Sequence, residues 1–335
     1  MKNEILRRLS ALALGLALLL NAAPLPQAFA VEDDTDASSS DSADSTDTTD
    51  KTVVTTADSD PTVTAAAANA PALDATAALL VSPESDMVLY EKNADEKRYP
   101  ASTTKIMTAL LTLENVSDLS AVVTAEASDF ENVTADSSNA GIKLGEQVTV
   151  KDLLYALMLP SANEAAYMLA RHVSGSWEQF VDMMNERAAE LGCTGTHFCN
   201  PCGLHEDDHY TTAHDLYRIA KQAMKDATFR DIVSTVQHRM AKTNLHEERI
   251  ILTTNQLIFS SFQPWSYANC LGIKTGHTSQ AGNCFVGYAE YGDAKLFSVV
   301  LGCSSSSKEY PTIAASFTDT KSLCQWGFKN FTSKT

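Results

Sequence analysis

The stretch "PASTTKIMTALLTLEN", residues 100–115, sets a lysine where a buried helix has no ready place for one. From Ile106 onward, Ile106, Met107, Ala109, Leu110, Leu111 and Leu113 leave almost no polar face, the pattern of a helix covered on most sides. A helix over 102–114 puts Ser102 and Lys105, three positions apart, on one face of its first turn. The free N–H groups and the dipole at that end favour negative charge. Taken alone, the pair reads first as a capping serine with a lysine that snorkels to water, and only second as a nucleophile with its base.

Working outward, the chain has 335 residues, 44% hydrophobic and 20% charged, enough for one large domain with a real core. Lys2, Arg7 and Arg8 precede an apolar run from Leu9 to Leu20, and "AFA" at 28–30 supplies small residues for cleavage after Ala30. Residues 1–30 therefore read as an export signal peptide, which places the mature protein outside the cell or in the cell-wall space. No second apolar run is long enough to span a bilayer, so a membrane is reached only if that leader stays uncleaved.

Residues 31–71 are rich in Ser, Thr, Asp and Ala and hold no aromatic residue, so they are expected to remain a disordered linker. Ten acids against the single base Lys51 give this segment −9 of the formal net charge of −17. The acidity is thus mostly the tether's, and no nucleic-acid partner follows from the charge balance. As a flexible coil it would reach about 35 Å.

Residues 72–335 read as one α+β domain. "ATAALLVSPESDMVLYEKN" is a hairpin signal, helical patterns follow over 102–114, 152–159, 163–173, 176–191 and 212–225, and strands return in "CLGIKTGHT", "NCFVGYAEYG" and "AKLFSVVLGC" before a helix near 310–330. Strands at both ends around a helical block predict an antiparallel sheet, five-stranded, flanked by helices with a helical subdomain.

Two further stretches bear on Ser102 and Lys105. In "LMLPSANEAAYMLA" the triplet Ser161-Ala162-Asn163 interrupts an apolar helical region after Pro160, and by itself is a helix cap. In "LGIKTGHTSQAGNCFVGYA" the triplet Lys274-Thr275-Gly276 ends an apolar strand before a hairpin. SxxK, SxN and KTG in that order, 59 and 113 residues apart, resemble the three motifs of the penicillin-recognising serine acyltransferases. The surrounding text, "GIKLGEQVTVKDLLYALMLPSANEAAYMLA", "GTHFCNPCGLHEDDHYTTAHDL" and "GIKTGHTSQAG", is similar to the low-molecular-mass penicillin-binding proteins that act as D-Ala-D-Ala carboxypeptidases, over about 75–331.

The resemblance implies a beta-lactamase/transpeptidase-like fold and a function for each motif. Ser102 would attack the carbonyl between the last two D-alanines of a peptidoglycan stem peptide, and beta-lactam antibiotics would acylate the same hydroxyl. Lys105, its pKa lowered by burial and by the like charge of Lys274, would be the base. Ser161 would relay a proton to the leaving amine, and Asn163 would hold the substrate amide. Lys274 and Thr275 would bind the terminal carboxylate, and Gly276 would leave room for substrate along the strand edge. The backbone N–H groups of Ser102 and His277 would form the oxyanion hole. No cofactor and no metal is implied.

Four other readings use overlapping residues. A class A beta-lactamase would carry an ExxLN-like loop after SxN, and none stands between 164 and 273. A DD-endopeptidase, or a penicillin-binding sensor with slow turnover, would keep all the motifs. Cys199-x-x-Cys202 and His205-x₃-His209 suggest zinc, but only two residues separate the pairs, too few to wrap a tetrahedron. Among seven cysteines in an exported chain some pairs are expected to oxidise, first among Cys193, Cys199 and Cys202, with at least one thiol left free or paired between chains, while Cys270 and Cys284 read as small buried residues. Family members often continue into a β-rich domain and an amphipathic membrane helix; the sequence stops at Thr335 after "SLCQWGFKNF", so neither is expected.

Overall fold

The computed structural model describes residues 52–53, 69–134, 137–259, 263–310 and 312–331. The signal peptide predicted over 1–30 lies outside the described residues, as does most of the linker predicted over 31–71.

Ten strands and eight α-helices are described. Strands β1 (Thr52–Val53), β2 (Ala77–Ser82), β3 (Met87–Lys92), β8 (Cys270–Thr278), β9 (Gly282–Tyr291) and β10 (Ala294–Cys303) form one sheet in the order β1-β3-β2-β10-β9-β8. Every pairing in it is antiparallel. The five long strands are those expected from the two ends of the domain; β1, two residues of the acidic segment set against Glu91 and Lys92, adds a sixth at the edge. Pairing of β2 with β10 joins the two ends of the domain in the middle of the sheet, and β8 is left as the opposite edge strand.

Period-two alternation divides the sheet between two cores. From β2 and β10, Ala77, Leu79, Val81, Phe297, Val299 and Leu301 face the helical block. Ala78, Leu80, Leu296 and Val300 face α8 (Ala315–Phe331), which brings Phe317, Leu323, Trp326 and Phe328. Both faces are covered, which is why these strands read as continuous apolar runs rather than alternating ones.

The helical block contains α1 (Lys105–Asn115), α2 (Val150–Met158), α3 (Asn163–Ser174), α4 (Trp177–Glu190), α5 (Ala213–Ala223) and α6 (Ala227–Ser234). Helix α1 packs against α2, α3, α4, α5 and α6, so it is apolar on nearly every side. The Ncap hydroxyls Thr149, Ser176 and Thr212 accept from the third residue beyond them in α2, α4 and α5. Helix α6, the short α7 (Gln256–Phe259) and the two small two-stranded sheets β4–β5 (Val122–Thr124, Gln147–Thr149) and β6–β7 (Gln237–Met240, Arg249–Leu252) were not predicted. The β6–β7 hairpin is held by tertiary contacts: Arg249 Nη1 donates to the fully buried Glu146 (2.7 Å), and the His238 ring stacks on Tyr155 while bonding Asp152 (2.7 Å).

Among the described residues no helix is long and apolar enough to cross a membrane. The expected disulfide does not form: all seven cysteines are free thiols. Cys193 Sγ faces the carbonyl of Asp215, Cys199 lies beside His197 and Cys202 against Asn200, three separate surroundings. Cys270 and Cys284 are buried in opposite cores, as small apolar residues are.

Candidate active site

Pro100 leads into a 3₁₀ turn, Ala101–Thr104, whose last carbonyls run directly into α1. Ser102 stands on this turn rather than inside the α-helix, and Ala101 before it is held at φ +47°, a left-handed conformation unusual for a residue with a side chain. The turn is pinned by Thr103 Oγ1 donating to the Pro100 carbonyl (2.7 Å) and by Thr104 Oγ1 against His209 Nε2 (2.8 Å). The backbone N–H of Cys199 donates to His209 Nδ1 (3.1 Å), so the ring proton sits on Nε2 and donates to Thr104. Burial lowers the His209 pKa to about 3 and keeps the ring neutral.

Lys105 is fully buried. Its Nζ lies 3.0 Å from Ser102 Oγ, 2.7 Å from Asn163 Oδ1 and 2.6 Å from the carbonyl oxygen of Cys202. Burial lowers its pKa to about 8, against the opposing pull of Cys202 and Glu164. The three acceptors suit an ammonium. In the neutral amine the two shorter contacts take the two N–H groups and the lone pair is left facing Ser102 Oγ–H. Lys274 is also fully buried, under β8, with Nζ donating to the Thr275 carbonyl (3.1 Å). Its pKa lies well below the usual lysine value, through burial first and then through the charge on Lys105. The repulsion expected to act on Lys105 therefore falls on Lys274.

Ser161 enters from the loop before α3 at φ +66°, and its Oγ is buried with no hydrogen-bond partner among the described residues. Asn163 opens α3 beside it, buried, with Oδ1 committed to Lys105. Across the cleft, β8 presents Thr275, Gly276 and His277. A Cβ on Gly276 would lie 2.9 Å from the Pro100 carbonyl oxygen and 3.1 Å from Ser102 N, so this glycine is required for the Ser102 turn to dock on the sheet edge. The absent side chain thus serves the packing of the scaffold first, and substrate clearance along the strand edge second. Because β8 is an edge strand, every second residue turns its N–H and C=O away from β9. The His277 ring is exposed.

Ser102, Ser161, Asn163, Thr275, Gly276 and His277 line one cavity of about 600 Å³. Lys105 and Lys274 are the two predicted residues whose side chains lie beneath its wall rather than on it.

A profile described as D-alanyl-D-alanine carboxypeptidase matches residues 64–305. The chain belongs to the D-alanyl-D-alanine carboxypeptidase family. It is 34% identical over 233 residues to the D-alanyl-D-alanine carboxypeptidase DacF of Bacillus subtilis, covering 69% of this chain and 58% of that one. It is 36% identical over 253 residues to the D-alanyl-D-alanine carboxypeptidase of Streptomyces sp. strain K15, covering 72% of this chain and 82% of that one. The crystal structure of the Streptomyces K15 DD-transpeptidase superposes with a TM-score of 0.70 at 33% identity, over 78% of this chain and 99% of that one. The chain thus spans less than two thirds of the length of DacF and nearly all of the solved Streptomyces structure.

Within this carboxypeptidase-family site, four positions were not singled out from the sequence. Thr254 Oγ1 bonds Thr275 Oγ1 (2.6 Å) at the cavity wall. Glu164 is buried behind Asn163, its pKa raised by burial, and its Oε1 accepts from Ala140 N (2.7 Å), tying down the loop that lines the mouth. Asn200 Oδ1 accepts from the N–H groups of Cys202 (3.2 Å) and Gly203 (2.7 Å), and its Nδ2 donates to the Leu204 carbonyl (2.9 Å) and to Glu206 (2.8 Å). Gly203, at φ +86°, crosses Ala101 with no room for a side chain. The only sequence signal for the last two was that "HFCNPCGL" reads like family text; its service is to hold the Cys202 carbonyl on Lys105.

Asn200→Ala is expected to cost about 2–3 kcal/mol, because it leaves buried N–H groups unpaired. Urea unfolding beside a penicillin-acylation assay checks this. Acylation should fall even in fully folded protein, since Cys202 O loses its support; an unchanged acylation rate would show that the loop does not position Lys105.

Proposed function

We propose that this protein is a serine-type D-alanyl-D-alanine carboxypeptidase acting on peptidoglycan stem peptides. The observation that carries the reading is the Lys105 amine, buried, lowered to about 8 and 3.0 Å from Ser102 Oγ. Lys105 Nζ takes the Ser102 proton as Oγ bonds to the carbonyl carbon of the penultimate D-alanine. The backbone N–H groups of Ser102 and His277 receive the oxyanion, at about 3–4 kcal/mol per donor. Collapse of the adduct breaks the C–N bond, and Ser161 Oγ passes the proton from Lys105 to the leaving D-alanine nitrogen. Water then cleaves the ester and regenerates Ser102. Asn163 uses its amide N–H₂ on the substrate backbone, since its oxygen serves Lys105. Thr275, supported by Lys274 from below, receives the terminal carboxylate. Beta-lactams acylate Ser102 by the same first step, and the setting is the exported, cell-wall side of the membrane.

The test is D-alanine release from diacetyl-Lys-D-Ala-D-Ala, with Ser102→Ala as control. Release by wild type alone supports the reading. Folded protein that labels with penicillin at Ser102 but releases no D-alanine would overturn it, leaving endopeptidase or sensor. One observation favours a second acceptor for the acyl group: the solved Streptomyces relative is described as a DD-transpeptidase. Adding a glycyl amine acceptor and separating free acid from transferred product decides between water and amine.

A further inference from the structure

A second cavity, of about 570 Å³, adjoins the first, with Gln280 on the wall of both. Its lining includes Lys97, Arg98, Tyr99, Asp207 and Tyr210, together with Ala281 and Gly282 at the β8–β9 turn. Tyr99 of this cavity and His205 of the first form an edge-to-face pair, ring centroids 4.6 Å apart. Arg98 is fixed: its backbone bridges to Thr211, and its guanidinium pairs with Glu96 and the Lys97 carbonyl. Lys97 is different. Its Nζ rests 3.8 Å above the Tyr210 ring, and among the described residues it forms no ion pair. A cation parked on an aromatic face over a cavity is positioned at little entropic cost to meet an anion.

The direction of the substrate decides which anion. With the terminal carboxylate at Thr275 and the scissile carbonyl at the N–H groups of Ser102 and His277, the acyl side of the peptide runs along β8 toward Thr278, Ser279 and Gln280, the rim shared with the second cavity. Lys97 precedes Ser102 by five positions, so their Cα atoms are within about 18 Å. Two extended residues cover about 7 Å of this, and the lysine stem and a ligand side chain cover the rest. We propose that the second cavity is an acyl-side subsite that takes a carboxylate borne one or two residues upstream of the acyl D-alanine, with Lys97 as its cation. In a stem peptide that carboxylate comes from a γ-linked glutamate or from a diamino diacid. The inference rests on the orientation given under the proposed function.

The test compares the full chain with Lys97→Ala and Lys97→Arg on three substrates ending in D-Ala-D-Ala. The diacetyl-lysyl peptide has no upstream carboxylate. A second carries γ-glutamate and lysine, and a third carries the amidated glutamate with diaminopimelate. Lys97→Ala is expected to lower kcat/KM about fivefold on one or both carboxylate substrates, to leave the diacetyl peptide unchanged, and to lose its effect in high salt, with Lys97→Arg restoring the preference. The substrate affected identifies the source of the carboxylate. Equal rates for all three substrates, or an equal loss on all three, would overturn the subsite. If wild type releases no D-alanine from any of them, the carboxypeptidase reading has failed instead. The subsite is then read from Ser102 acylation by a penicillin with a carboxylate-bearing peptide side chain against benzylpenicillin. Selective slowing of the first by Lys97→Ala keeps the subsite, and no selectivity removes it.

Discussion

Replacement of Lys105 by methionine is expected to slow acylation of Ser102 by penicillin by about three to four orders of magnitude while the protein stays folded. Methionine keeps an unbranched stem of similar size in the buried channel and removes a charge that costs free energy there, so packing is not the casualty. What is lost is the acceptor for the Ser102 proton. The wild-type pH profile provides the second arm. The reactive form has the amine neutral, and below its pKa of about 8 that fraction falls tenfold per pH unit. The acylation rate should therefore climb with pH and level off near 8, and Lys105→Met should flatten the profile as well as lower it. Stopped-flow acylation with a chromogenic cephalosporin measures both. A wild-type rate independent of pH between 5 and 9, or a Lys105→Met variant that keeps its rate, would remove Lys105 from the proton transfer and leave Ser161 or solvent as the base.

The second large effect is expected at Gly203. A Cβ there would sit 1.9 Å from the Ala101 carbonyl oxygen and 2.4 Å from its carbon, both backbone, and the residue is at φ +86°. Neither neighbour can yield, because Ala101 is itself held in a left-handed conformation by the turn that carries Ser102. Gly203→Ala should destabilise the fold by about 3–5 kcal/mol and abolish penicillin labelling, because the loop can move away only by taking the Cys202 carbonyl off Lys105. Gly141→Ala separates clash from backbone preference: Gly141 is also left-handed, at φ +72°, but a Cβ there meets nothing within 4 Å. That variant should lose only about 1 kcal/mol and label normally. Thermal unfolding and labelling of both variants check the comparison, and similar behaviour of the two would show that the close crossing of Gly203 over Ala101 is not what holds the Ser102 turn.

Much of this was legible along the chain. Strands β8 and β10 follow their apolar runs residue for residue, and the helices over 163–174 and 177–190 fall within a residue or two of their patterns, because local periodicity and caps report local structure. The nucleophile motif also showed itself through a local contradiction, a lysine in an otherwise apolar helix. The hairpin over 237–252 did not: its strands carry His238, Arg239 and Arg249, and it is held by Glu146, Asp152 and Tyr155 from another part of the chain. Asn200 carries no signal of its own along the chain, because its bonds depend on how the loop closes. Thus the sequence by itself determined the sheet, the buried helix and the three motifs, since these rest on side-chain periodicity and on residue types that few structures tolerate in such places. Only the tertiary structure decided that Lys105 is held by a carbonyl 97 residues away, that Lys274 lies beneath the cavity, and that Gly276 and Gly203 are spacers between backbones, since burial and close approach belong to the packed chain and to no segment of it.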